Sequence, residues 1–284
     1  MNLRIKNLFV DPNGVPDLPH IYRVLEDAVE NPESSFEDIA RLVESDATLS
    51  SRLLKLANSS FYSYPVTVTT VPDALSVIGL QQFKNIALAV SVPSIFSGLA
   101  SPLLDAREFW KNCIAVGICA RIMALDLRQT NTERFLLAGL FHKIGRLLAI
   151  HAFPEDYQRV LDRAAKEQRQ LSQIEQAVLG FDCNELGASA MRHWRLPSSV
   201  VELVRYHAKP VLARHEVKDV SLIHIANFIV QSLRLGSAGD RFVPEFSEAA
   251  WDYSGLNETR LYYIMEELLR EYREVCGVFI DTEN

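Results

Sequence analysis

Residues 135–148 read FLLAGLFHKIGRLL, and this stretch decides how the middle of the chain folds. Most of its side chains are apolar, so we predict one helix over residues 132–150. His142 and Lys143 interrupt the apolar run. An unpaired polar group is costly to bury, and a histidine with a charged neighbour in such a helix therefore needs polar partners or a pocket.

Helical signals continue on both sides of this stretch. Ser35 and Asp38 match a capping box that opens a helix ending near residue 43, and Asp46 is suited to cap the next helix. Residues 64–71 are rich in β-branched side chains but are bracketed by prolines, so we interpret them as an extended connector. Further helices are predicted over residues 18–29, 72–79, 81–92, 108–125, 154–168, 172–179, 184–193, 198–206, 218–235 and 257–275. The pattern is that of an all-α helical bundle.

An internal boundary is predicted at residues 94–105, which contain Ser, Gly and Pro and show little periodicity. We expect an N-terminal helical subdomain over residues 1–100, packed on a second helical bundle over residues 101–284. The boundary segment is short and not strongly polar, so the two parts are expected to share an interface.

Composition narrows the function. The 284 residues carry a formal net charge of −7 and show no Lys/Arg block, which argues against nucleic acid as a partner. The four cysteines form no CxxC pair and are interpreted as reduced thiols of a cytoplasmic protein. The first ten residues do not resemble a signal peptide, and no run approaches the ~20 apolar residues that span a bilayer. Neither GxGxxG nor a P-loop occurs.

Residues 138–145, AGLFHKIG, resemble the AGLLHDIG signature of the HD superfamily of metal-dependent phosphohydrolases. Several other motifs agree with one relative of that superfamily, the HDOD domain of bacterial signalling proteins. They are LP at 18–19, ESDATL at 44–49, LKLANS at 54–59, ALSVIGL at 74–80, Trp110, GFD at 180–182, WRLP at 194–197 and YH at 206–207. The resemblance covers roughly residues 15–235 and implies an HD-like helical bundle.

The superfamily resemblance also implies a metal site, and this chain departs from it at most positions. HD enzymes hold a divalent metal through a His, a His-Asp pair and a distant Asp, and the metal activates a bound water. The pair is here His142-Lys143, and the distant Asp falls at Asn227. The remaining expected histidines fall near Asn112, at Cys183, where a GFDH-like stretch has changed, and at Tyr206, which precedes His207.

The surviving residues therefore predict no catalytic residue, no tightly bound metal and no cofactor. The residual site, which is also a candidate anion pocket, comprises His142, Lys143, Arg146, Cys183, Tyr206, His207, Asn112 and Asn227. His142 is interpreted as a hydrogen-bonded core histidine, and Lys143 is expected to point to solvent. In the alternative, Lys143 and Arg146, together with His142, bind a phosphate or carboxylate. A zinc site at Cys183 with His142 and His207 is less favoured than a buried thiol.

The family resemblance favours a non-catalytic module of bacterial signal transduction, which acts by binding a protein or a small anionic ligand. The alternative is a metal-dependent phosphohydrolase acting on a nucleotide or phosphoester. We expect a signalling protein as partner and neither nucleic acid nor membrane. The sequence does not set the oligomeric state.

Overall fold

A computed structural model describes residues 2–11, 14–62, 64–65, 67–96 and 101–280. Within these ranges the regular structure is helical, and a single isolated bridge joins Ser101 to Leu104. The all-α prediction is therefore confirmed. The helices are α1 (Leu3–Leu8), α2 (His20–Glu30), α3 (Phe36–Glu44), α4 (Ala47–Ala57), α5 (Val71–Ile78), α6 (Leu80–Ile95), α7 (Ala106–Asp126), α8 (Glu133–Phe141), α9 (Ile144–Ala152), α10 (Pro154–Glu167), α11 (Leu171–Leu179), α12 (Cys183–His193), α13 (Ser198–Tyr206), α14 (Val217–Ser232), α15 (Glu248–Ser254) and α16 (Glu258–Phe279), with a 3-10 turn at Pro210–Leu212.

The predicted helix starts in the N-terminal part are confirmed. The Ser35 hydroxyl accepts from the Asp38 backbone N–H, and the Asp38 carboxylate accepts from Ser35, which completes the capping box of α3. The Asp46 carboxylate caps α4 by accepting from Leu49 N. The connector before α5 is not helical in its described part. It is held at Val68, whose N–H and C=O both pair with the Asn58 side chain, at 2.8 and 2.7 Å.

One predicted helix is wrong in the region that matters most. The single helix expected over residues 132–150 is two helices, since α8 ends at Phe141 and α9 begins at Ile144. His142 and Lys143 lie in the break. Directly after the break, α9 packs against α12 at Gly145. A Cβ atom at Gly145 would lie 1.8 Å from the carbonyl oxygen of Cys183, so the two helix backbones are in direct contact.

Two helices had no counterpart among the predictions. These are α1 and α15, both short. α15 packs on α14, and Ile5 and Leu8 of α1 are buried. Short helices of this kind show too few turns for their periodicity to stand out.

The helices before and after residue 100 contact one another through side chains and backbone. α6 packs on α8, and α16 packs on both α7 and α4. Trp194 Nε1 donates to the carbonyl of Pro16 at 2.9 Å, and Ser60 N donates to Glu274 at 3.1 Å. The expected boundary at residues 94–105 includes residues 97–100, which lie outside the described ranges. The division at residue 100 stays a prediction.

The apolar stretch that spans α8 and α9 is core. By length and composition, Glu133–Ala152 is apolar enough to cross a bilayer, with a mean hydropathy of 1.3. In the folded chain 89% of the tested window is buried against the rest of the protein. The helix pair Val71–Ile78 and Leu80–Ser94 passes the same test as one span but is bent by 118°. Core helices of soluble proteins pass this test, and the burial fits a soluble helical domain.

Candidate functional site

His142 lies in the break between α8 and α9, and only 1% of it is exposed. Its Nδ1–H donates to the carbonyl of Gly139 at 2.6 Å, while no partner for Nε2 is found in the described part of the chain. Its ring packs edge-on against His207, with the centroids 5.2 Å apart. Burial lowers the pKa of His142 well below its usual value, and Lys143 lowers it further. Burial also lowers the pKa of His207, to about 4. Both imidazoles are therefore neutral at pH 7.

Lys143 points inward, so the expectation that it faces solvent is wrong. The residue is 6% exposed, and its ammonium donates to the carboxylate of Asp240. Arg146, about one turn further along the chain, donates to the same carboxylate through both terminal nitrogens of its guanidinium. Nη1 donates to Oδ2 at 2.8 Å, and Nη2 donates to Oδ1 at 3.0 Å. Lys143, at the N-cap of α9, and Arg146, in its first turn, both place their side chains in the interior beside Asp240.

The contacts within this cluster explain the direction in which the pKa values of Asp240 and Lys143 are shifted. Burial alone would raise the pKa of Asp240, but Arg146 and Lys143 outweigh burial and hold it well below its usual value. Burial lowers the pKa of Lys143, and Asp240 opposes that effect. Asp240 is accordingly a carboxylate throughout the neutral range, and its charge is shared between two buried cations.

A second carboxylate completes the charge balance. Glu175 of α11 is 1% exposed and lies 3.7 Å from Arg146 Nε. Its two oxygens accept from the Tyr157 hydroxyl at 2.8 Å and from the backbone N of Cys183 at 3.0 Å. The cluster thus contains two cations, Lys143 and Arg146, and two carboxylates, Asp240 and Glu175. It is neutral overall, which is what burial of charged groups requires.

The other predicted site residues are placed in different ways. Asn227 and Cys183 line one small cavity together with Lys143, Arg146 and His207. The cavity volume is about 80 Å³, which is room for several water molecules. The carboxamide of Gln231, on α14, donates through Nε2 to Asn227 Oδ1 at 2.8 Å and lies beside the Lys143 ammonium.

Three predicted residues lie outside the cavity lining, namely His142, Asn112 and Tyr206. Asn112 sits on α7 and donates through Nδ2 to the carbonyl of Leu235 at 3.3 Å, at the start of the loop that carries Asp240. Tyr206 lines a separate surface cleft with Arg205, whose guanidinium carbon lies 5.5 Å from the centre of the tyrosine ring. The structure therefore brings Lys143, Arg146, Cys183, His207 and Asn227 together and leaves Tyr206 aside.

Sequence reasoning missed three polar residues of this region: Asp240, Glu175 and Tyr157. Glu175 had a usable signal, because it lies at an apolar position of the α11 stripe, next to Ile174 and four residues from Leu179. A charged residue on a buried stripe needs a partner. Asp240 had no such signal, since it stands in a loop without periodicity.

The donor set does not fit a divalent metal. The ammonium of Lys143 lies in the pocket, and the two nearby carboxylates already accept from Lys143, Arg146 and Tyr157. Burial first, and Glu175 next, raise the pKa of the Cys183 thiol well above its usual value, which disfavours a metal-binding thiolate. Across the ranges that the structure describes, no group of three or more His, Cys, Asp or Glu side chains is arranged to hold a metal ion.

The chain is thus an all-helical protein with a pocket beside the α8–α9 break. The sequence profile of the HDOD domain matches residues 15–210, and the chain belongs to the HDOD domain family. Among solved structures, an HDOD domain protein of unknown function from Geobacter sulfurreducens superposes with a TM-score of 0.80 at 19% identity, covering 97% of each chain. A Shewanella amazonensis protein, named provisionally as a phosphohydrolase, gives 0.77 at 22% identity over 98% of each chain.

A third structure, from Marinobacter aquaeolei and named provisionally as a signal transduction protein, gives a TM-score of 0.72 at 23% identity over 98% of this chain and 62% of its own. At these identities the likeness establishes the fold. An uncharacterised protein of Treponema pallidum is 25% identical over 227 residues, which is 78% of this chain. The chain spans 43% of the length of that relative.

Proposed function

We propose that this chain is a non-catalytic regulatory HDOD module of bacterial signal transduction, which acts by binding a protein or a small anionic ligand. One observation carries the proposal. Lys143 and Arg146 are buried in the pocket and are both paired with Asp240. The positive charges in the pocket are therefore already paired with a carboxylate of the same chain.

Electrostatics supports this view over the alternative, a metal-dependent phosphohydrolase. At about 4 Å and an effective dielectric constant of about 20, one positive side chain repels each unit of metal charge by about 4 kcal/mol. Two such side chains stand in the pocket. A metal would also have to take its carboxylate ligands from existing ion pairs, which leaves buried cations uncompensated.

The test of the proposal measures metal and turnover on the same preparation. Purified untagged protein is dialysed against Mn, Fe, Zn or Mg, analysed for bound metal, and assayed with p-nitrophenyl phosphate and nucleotides. We expect substoichiometric metal and the same background rate in the natural protein and in His142→Ala. Stoichiometric metal together with turnover that His142→Ala abolishes would establish the phosphohydrolase instead.

The partner and the location belong to the same proposal. A cytoplasmic signalling protein is the partner expected of such a module, and it is identified by cross-linking and mass spectrometry in the source bacterium. The net charge of −7 makes nucleic acid an unfavourable partner, and we expect no salt-dependent gel shift with DNA or RNA. A shift that weakens as salt rises would contradict this part.

A further inference from the structure

The loop of residues 233–247 joins α14 to α15 and carries Asp240 into the pocket; we call it the Asp240 loop. We propose that Asp240 is an internal ligand of an oxyanion site formed by Lys143 and Arg146, and that a free phosphate group competes with it for these two cations. This inference rests on the proposed function, because it treats the pocket as a ligand site without metal chemistry.

The site is built from rigid, buried groups. Lys143 and Arg146 are each 6% exposed. Lys143 is the N-cap residue of α9 and Arg146 lies in its first turn, where Arg146 N donates to the Lys143 carbonyl at 2.9 Å. The guanidinium fork binds both oxygens of Asp240, at 2.8 and 3.0 Å. A planar fork with an ammonium beside it is the arrangement that recognises two oxygens of a carboxylate or a phosphate. Asp240 therefore marks where such an anion is held.

The first and second parts of the Asp240 loop are held by different kinds of contact. Its first part is fixed on α7, since Ser237 N donates to the Glu108 carbonyl at 2.9 Å and a Cβ atom at Gly236 would lie 2.4 Å from Asn112 N. Its second part is held differently. Between residues 238 and 246, the hydrogen bonds to the rest of the described chain involve the side chains of Lys143, Arg146 and Ser237.

The second part of the loop also contributes little to the core. Phe242 and Val243, which follow Asp240 closely, are each 44% exposed. Phe246 is the next fixed point, with its ring 5.0 Å from that of Phe228 on α14. Withdrawal of residues 239–243 therefore breaks the ion pairs to Asp240 but exposes little additional apolar surface.

Charge balance links the loop to the ligand. With Asp240 in place, two cations face two carboxylates. With Asp240 withdrawn, Glu175 alone faces Lys143 and Arg146, and the buried pocket carries one net positive charge. Such a charge is costly unless an anion replaces the one removed. The anion has to be small, because the cavity beside the cations is about 80 Å³. Inorganic phosphate or the phosphate of a monoester meets both conditions.

The decisive experiment titrates inorganic phosphate into chelator-treated full-length protein at constant ionic strength and follows binding by calorimetry. Asp240→Asn removes the competing charge and nearly keeps the side-chain shape. We expect this variant to bind phosphate about tenfold more tightly or better than the natural protein, and the double variant Asp240→Asn/Arg146→Met to lose that gain. Asp126→Asn is the matched control, because Asp126 also pairs with an arginine, Arg260, but on the surface. It should bind phosphate as the natural protein does.

A second measurement keeps the inference testable if Asp240→Asn does not fold. In the natural protein, trypsin cleavage after Arg241, which is exposed in the Asp240 loop, is measured with and without saturating phosphate. Phosphate that displaces Asp240 speeds cleavage at this residue and leaves cleavage elsewhere unchanged. Equal phosphate affinity of the natural protein and Asp240→Asn, or cleavage that phosphate does not alter, would overturn the inference. Neither measurement depends on bound metal or on turnover. A negative result here would therefore contradict this inference and leave the proposed function to its own test.

Discussion

Glu271 offers the sharpest prediction about stability. It lies on the buried face of α16, is 5% exposed, and its Oε2 has no hydrogen-bond partner in the described ranges. Burial raises the pKa of this carboxyl to about 7, against the opposing effect of Arg121 on α7. Glu267, Arg270 and Glu274 on the same helix contribute smaller effects of both signs. Glu271→Gln replaces a group that changes charge near neutral pH with a neutral one of the same shape.

The size of the effect follows from the two pKa values. The usual pKa is 4.5 and the folded value is about 7, so the folded state binds the proton more tightly by roughly 2.5 pKa units. At 1.36 kcal/mol per unit this is about 3 kcal/mol. The contribution is fully present below pH 4.5 and is lost as pH rises through about 7. Glu271→Gln cannot ionise and so does not lose this contribution. Relative to the natural protein, its free energy of unfolding should therefore rise by about 3 kcal/mol as the pH passes through that range.

Urea denaturation measured at several pH values between about 5 and about 8 tests this prediction, and the difference between variant and natural protein cancels the titration of all other groups. Glu266→Gln is the control, because Glu266 lies on the exposed face of the same helix. The control should differ from the natural protein by less than about 0.5 kcal/mol at every pH. A difference for Glu271→Gln that does not change with pH would refute the reasoning.

Two further predictions concern packing and capping. Gly145→Ala places a Cβ atom 1.8 Å from the Cys183 carbonyl oxygen and should lower the free energy of unfolding by about 3 kcal/mol or more. Gly187→Ala on the facing helix meets its nearest atom at 3.2 Å and should cost clearly less, as thermal denaturation can show; equal costs would contradict the contact. Ser35→Ala removes the capping box of α3 and should cost about 1 kcal/mol in urea denaturation, with faster hydrogen exchange confined to the first turn of α3. Loss of protection throughout α3 and α4 would point to a wider role.

The accuracy of the predictions depended on how local their signals are. α13 was predicted at the bounds it has, Ser198–Tyr206, and the capping box of α3 was found, because periodicity and caps are read within a few residues. The break at His142 was missed for the opposite reason. It serves the contact of Gly145 with the backbone of α12, which is remote in the sequence.

The sequence by itself determined that the chain is all-α and that it has the motifs of an HDOD domain. The tertiary structure alone decided what Lys143 does. Its partner Asp240 is 97 residues away in an aperiodic loop, and Arg146 shares that partner. Burial of a charge requires a counter-charge, but this requirement does not say which residue supplies it. The backbone break and the course of the Asp240 loop settle that, and both result from packing between distant helices.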